Sequence, residues 1–193
     1  MDDKIIDFIS QYISLTAKEI DIIKNQNFIK TYVKGSRVLS EGQIVDTCYF
    51  VIEGSIRKYY LVDGEERSTE FYFENQTITP AGYLTKATSE YYLECMEESV
   101  LALGSEERNA QLLEKVPKLQ SMVLNMNNSL LIDSHNSLDD FKRLSPEKRY
   151  LKLLEERPEL LQRVPLKYLA SYLGITSVSL SRIRKRVTTN KVP

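Results

Sequence analysis

Between Phe28 and Leu103 the sequence breaks into short β-forming runs, each closed by turn residues, and no other feature narrows the fold as far. Phe28 to Val33 ends at Lys34-Gly35-Ser36, and Arg37-Val38-Leu39 ends at Glu41-Gly42. Cys48 to Ile52 ends at Glu53-Gly54-Ser55, and Ile56 to Val62 meets Asp63-Gly64, a strong hairpin signal. Arg67 to Phe73, Tyr91 to Met96 and Val100 to Leu103 complete the series. Strands with turns spaced about 8 to 12 residues apart imply a sandwich, jelly roll or barrel. The middle of the chain is expected to be one all-β domain.

Helices flank it. Ile5, Phe8, Ile9, Tyr12 and Ile13 repeat at helical spacing, and Thr16-Ala17-Lys18-Glu19 fits a capping box. After a short helix ending near Leu113, Pro117 suits a first helical turn. Leu119, Val123, Met126 and Leu130 then step by coiled-coil intervals, and the seam slips to Leu131, Ser134, Leu138 and Phe141. Such a stripe predicts a homodimer seam over Val116 to Phe141, against the alternative of a helix lying on its own domain. Ser145-Pro146-Glu147 opens another helix, which breaks at Arg157-Pro158. The expected architecture is α+β, with boundaries at 1–113 for the β-rich domain and its flanking helices, 114–143 for the dimerisation helix and hinge, and 144–193 for a helical C-terminal domain.

The last segment carries the chemistry. Leu166, Leu169, Ala170 and Leu173 form one apolar face, Gly174 supplies a left-handed turn, Ile175 plugs the core and Thr176 caps a second helix. That helix buries Leu180 and Ile183 and turns Ser177, Ser179, Ser181, Arg182 and Lys185 outwards. The pattern predicts a helix-turn-helix. Charge supports it: seven of the chain's 26 basic residues and none of its 27 acidic residues lie after residue 162. The remainder therefore carries 19 positive against 27 negative groups. A basic module on an acidic body suits a polyanionic partner, here double-stranded DNA.

Other classes close on residue counts. Two cysteines, Cys48 and Cys95, give no disulfide framework and too few ligands for an iron–sulfur cluster. One histidine, His135, defeats a cupin-type or other imidazole-based metal site, so no metal, no cofactor and no enzymatic activity are expected. A haem ligand from His135 or a cysteine stays open, but His135 lies on the polar run Ser134-His135-Asn136-Ser137 and is assigned no role. No apolar run approaches a membrane span and the start has no basic n-region, so a cytoplasmic protein is expected, with no membrane partner.

Taken in order, these residues resemble the Crp/Fnr family of transcription regulators. The N-terminal resemblance rests on Leu39-Ser40-Glu41-Gly42, Asp46, Tyr49-Phe50-Val51 and Glu53-Gly54-Ser55. The C-terminal one rests on Leu169-Ala170, Leu173-Gly174-Ile175-Thr176 and Ser181-Arg182-Ile183. The resemblance implies a cyclic-nucleotide-binding-like β-roll or jelly roll, a long dimerisation helix and a winged-helix-like C-terminal domain. It also implies a homodimer on an inverted-repeat site, with RNA polymerase as a partner if the protein activates. Arg182 would then match the arginine that reads a guanine. Thr176, Ser177, Val178 and Ser179 would face the DNA beside it, with Lys167, Lys185 and Arg186 on phosphates.

Cyclic-nucleotide binders of that family hold the phosphate with an arginine. Here no arginine occurs between Arg67 and Arg108, and Glu90 falls near the expected phosphate position. Insensitivity to cyclic AMP is therefore expected. Tyr72, Tyr83, Ser89, Tyr91 and Tyr92 mark either an effector pocket of another kind or aromatic core filling, and no effector is identified. A second functional reading is a ligand-sensing module that acts through a protein partner rather than DNA. The chain ends at Val187-Thr188-Thr189-Asn190-Lys191-Val192-Pro193, where related regulators run a little further.

Overall fold

The computed structural model describes residues 2–26 and 28–189, so Lys191 of the basic module lies outside the described residues. Two helices open the chain, α1 (Asp2–Ser10) and α2 (Ala17–Gln26). Eight strands follow: β1 (Phe28–Tyr32), β2 (Arg37–Leu39), β3 (Thr47–Glu53), β4 (Ile56–Val62), β5 (Glu65–Tyr72), β6 (Thr77–Ile78), β7 (Tyr92–Cys95) and β8 (Ser99–Ser105). The rest is helical: α3 (Glu106–Lys115), α4 (Lys118–Arg143), α5 (Pro146–Glu156), α6 (Pro158–Arg163), α7 (Leu166–Tyr172) and α8 (Ser177–Thr189). The α+β class and the strand-rich middle agree with the sequence reading. Among the described strands only β6, two residues long and paired through Tyr49 and Ile78, escaped it, being too short to show a period. Past Ser105 every described element is helical, so the expected wing has no strand among the described residues.

The chain divides into two compact units, one of Met1–Lys58 with Phe71–Ser129 and the other of Tyr59–Glu70 with Leu130–Pro193. The division falls inside α4 and gives residues 59–70 of the β4–β5 hairpin to the C-terminal unit. A continuous helix has no composition break that would reveal this.

In the first unit, β1 pairs antiparallel with β8 and β8 with β3, while β2 pairs with β7. Two four-stranded sheets result, in the orders β1-β8-β3-β6 and β2-β7-β4-β5. Alternation along the strands puts Val51, Ile56, Phe71, Leu93, Cys95 and Leu101 wholly out of water. A second apolar cluster joins Ile5, Phe8, Ile9 and Ile23 to Ile52, Val100, Ala102, Val116, Leu119 and Met122. The capping box forms as expected: the Thr16 amide donates to the Glu19 carboxylate at 2.7 Å, and the Glu19 amide donates to Thr16 Oγ1 at 3.3 Å. Lys118 Nζ stands 2.8 Å from the same carboxylate.

Helix α4 has 26 residues, about 39 Å at the α-helical rise. The seam read from Leu119, Val123, Met126 and Leu130 is split by the fold. Leu119 is 4% exposed in the core of the first unit and Met126 packs against that core. The apolar residues that remain exposed include Val123, Leu124, Leu130, Leu131, Ile132, Leu138 and Phe141. Leu124, Leu131 and Leu138 among them step by whole heptads, with exposed Ser134 between the last two.

Candidate nucleic-acid interface

Helix α7 ends where Gly174 adopts φ +69°. The Ile175 amide reaches back to the Ala170 carbonyl at 3.0 Å, the six-to-one bond of a Schellman turn. This reversal sets α8 across α7, and Ala170, 1% exposed, is small enough for the close crossing. Thr176 caps α8 by accepting the Ser179 amide at 3.2 Å, with the two hydroxyls 3.0 Å apart. Leu180, Ile183 and Val187 then recur on one face and are buried, with Leu169, Leu173, Leu160 and Tyr150 also in the core of this unit.

That burial fixes what α8 shows to solvent. Val178, Arg182 and Lys185 are exposed, as are Thr176 and, on α7, Lys167, whereas Ser177 and Ser179 are half-buried. Arg184, which the sequence reading left unassigned, is exposed beside them. Arg186, read as a phosphate contact, forms a two-pronged pair with Glu147 of α5, Nε to Oε1 at 3.0 Å and Nη2 to Oε2 at 2.7 Å. Its fork fits a carboxylate, and an acidic residue 39 positions upstream leaves no local signal of the pairing.

Sequence reasoning also missed Arg149. Its Nη1 donates to the Phe141 and Leu144 carbonyls at 3.0 and 2.7 Å, and its Nη2 donates to the Leu173 carbonyl at 2.8 Å. The guanidinium carbon sits 4.4 Å from the centroid of the Phe141 ring. Burial holds its pKa below the ordinary arginine value. Just before this node, Asp140 accepts from Lys152 and Arg143, which hold its carboxyl below the usual range. On the other side of α7, Ser171 Oγ accepts the Ser68 amide at 2.9 Å and donates to the Glu66 carbonyl at 3.3 Å, and Arg157 pairs with Glu70 at 3.0 Å.

The tyrosines expected at an effector pocket all lie in the first unit. Tyr91 is buried, and its hydroxyl accepts the Ala81 amide at 2.9 Å, while Lys58 Nζ lies 4.1 Å from its ring centroid. Ser89, also buried, donates to the Tyr91 carbonyl at 2.7 Å. Tyr83 accepts from Asn109 Nδ2 at 3.0 Å, and the same amide donates to Cys48 Sγ at 3.1 Å; burial raises the Tyr83 pKa. Tyr92 carries the Arg37 guanidinium over its ring at 5.2 Å, and Tyr72 is half-buried on β5. Lys86 stands 3.9 Å from Glu106, and Glu90 is exposed. His135 is exposed on α4, and among the described residues no group of three or more His, Cys, Asp or Glu is placed to hold a metal ion.

Comparison with known proteins places this fold. Residues 29–116 match the family model of the cyclic nucleotide-binding domain. No curated protein sequence matches the chain. Among solved structures, the chain is similar to CLP, the c-di-GMP responsive global regulator of Xanthomonas campestris. The TM-score is 0.70 at 22% identity, over 91% of this chain and 93% of that one. It is similar to FixK2 from Bradyrhizobium japonicum, with TM-score 0.70, 16% identity and 86% of each chain covered. A mutant of CooA from Carboxydothermus hydrogenoformans gives TM-score 0.72 at 11% identity, over 95% of this chain and 84% of that one. These likenesses span both units and show a shared fold. No helix among the described residues is long and apolar enough to cross a membrane.

Proposed function

We propose that the protein is a sequence-specific DNA-binding transcription regulator, acting as a homodimer on an inverted repeat and not responding to cyclic AMP. One observation carries the reading: α8 is held by a capped, glycine-turned junction so that Arg182 and Lys185 face solvent, in a chain whose last acidic residue is Glu159. The N-terminal half of α8 enters a major groove, where the Arg182 fork suits the O6 and N7 acceptors of guanine and Val178 suits a thymine methyl. Lys185 and Lys167 neutralise phosphates, while Arg186, engaged by Glu147, holds α8 to α5. The Leu124, Leu131 and Leu138 stripe of α4 pairs with that of a second copy, which produces the two-fold site. RNA polymerase is a further partner if the regulator activates. Cyclic AMP insensitivity rests on the absent arginine and on Tyr91, whose hydroxyl takes the Ala81 amide in the segment where relatives hold the phosphate.

Selection from random duplexes followed by anisotropy titration tests the reading. Arg182→Ala should cost about 1–3 kcal/mol at one base pair of each half-site and relax the preference there. Lys185→Ala should weaken every sequence alike and flatten the salt slope. Equal loss on selected and random DNA for Arg182→Ala would make Arg182 a phosphate contact. Binding to no duplex at low salt would favour the protein-partner reading.

A further inference from the structure

Helix α4 leaves its last carbonyls without helical partners, as every helix does, and α7 does the same. One side chain serves both ends. Arg149 on α5 gives Nη1 to Phe141 and Leu144 at the end of α4, and Nη2 to Leu173 at the end of α7, one residue before the Gly174 turn. The Phe141 ring closes the other side: a Cβ on Gly174 would stand 3.1 and 3.2 Å from its Cζ and Cε2. The cation also complements the negative C-terminal ends of both helices. All these groups lie in the C-terminal unit.

We infer that Arg149 is the positioning residue that fixes the reading helix α8 relative to the last turn of α4, and so sets the half-site spacing the dimer accepts. The inference rests on the DNA reading proposed above. If two copies pair through α4, the direction in which α8 leaves the end of α4 decides where the second reading helix falls. Without the shared guanidinium, the end of α4 keeps the 142–145 connection and the Lys152–Asp140 pair with α5 but loses its link to the end of α7, and rotation about that connection varies the separation. Lysine cannot replace arginine here, because a single ammonium has no planar fork to span two helix ends and stack on a ring.

The test compares unsubstituted protein with Arg149→Met, Arg149→Lys and Phe141→Leu, on selected inverted repeats with spacers one base pair shorter, matched and one longer. Each step turns one half-site against the other by about 35°. Unsubstituted protein should prefer one spacer by about tenfold or more, and Arg149→Met by less than about threefold, with base preference inside each half-site kept. Phe141→Leu, which leaves the three hydrogen bonds in place, should shift the preference less and in the same direction. Without DNA, trypsin should cut after Lys142 or Arg143 about tenfold faster in Arg149→Met, with Arg149→Lys between, because the local opening is no longer opposed. An unchanged spacer preference with uniformly lower affinity overturns the inference, as does an unchanged cleavage rate. If the unsubstituted protein shows no sequence-selective binding, the DNA reading itself falls and takes this inference with it.

Discussion

Replacing Gly174 by alanine tests the junction on which the DNA reading depends. At φ +69° an alanine pays the left-handed penalty, about 1–2 kcal/mol. Its Cβ also meets the Phe141 ring at 3.1 and 3.2 Å, tighter than ordinary contact, so the ring must give by a few tenths of an ångström. Phe141 is 50% exposed and can swing, which limits this part to roughly 0.5–1 kcal/mol, below the cost of overpacking a closed core. The sum is a destabilisation of the C-terminal unit by about 1.5–3 kcal/mol. Urea unfolding, followed by circular dichroism and tyrosine fluorescence, measures it. The same substitution in a Phe141→Ala background should cost about 0.5–1 kcal/mol less, since only the backbone part remains. Gly174→Asn, tolerant of the left-handed region, should cost less than alanine in both backgrounds. If Gly174→Ala changes stability by less than about 0.3 kcal/mol, the turn does not carry the strain argued here.

Leu131→Asp places a charge in the proposed seam and should leave a monomer at micromolar concentration by size exclusion with light scattering, whereas the unsubstituted protein should run as a dimer. Tyr91→Phe removes the acceptor of the Ala81 amide and should lower stability by about 0.5–1.5 kcal/mol. Calorimetry should detect no cyclic AMP binding to the unsubstituted protein, and micromolar affinity would refute the proposed insensitivity. Lys118 and the Thr16 groups draw the Glu19 pKa from 4.5 down to about 2, so its contribution is present above pH 4.5 and lost as pH falls through about 2. Glu19→Gln should flatten the stability profile over that window, and a profile unchanged by the substitution would refute the assignment.

What could be read from the sequence is what short-range chemistry writes there. Thr16 and Glu19 are three residues apart, and the bonds they form are the ones their types dictate. Asp63 and Gly64 take φ 53° and 80°, the left-handed pair that joins β4 to β5, as Asp-Gly between two β runs predicts. The α7–α8 junction was legible for the same reason, with cap, glycine and apolar face within 22 residues. The long helix was only half legible. Leu119 and Leu138 are the same residue type at comparable spacing, yet one is 4% exposed and the other 51%, because β-roll packing decides it. Arg149 and Arg186 were illegible as tethers, since their partners are distant in sequence and a tethering arginine looks like any other in sequence.

Two features of the fold share one physical logic. At Ala81 a backbone donor in the loop between β6 and β7 is taken by Tyr91, and at the ends of α4 and α7 orphan carbonyls are taken by Arg149. In each place a hydrogen-bonding demand that a ligand or water could meet is met by the chain itself. A ligand shifts an equilibrium only by its differential affinity for two states, and under the proposed function a loop whose Ala81 amide is already taken by Tyr91 leaves cyclic nucleotide little to gain there. Under the proposed function, the form without effector is then the DNA-reading form. Its occupancy of a site follows from the amount of protein and from dimerisation through α4, which depends on that amount by mass action.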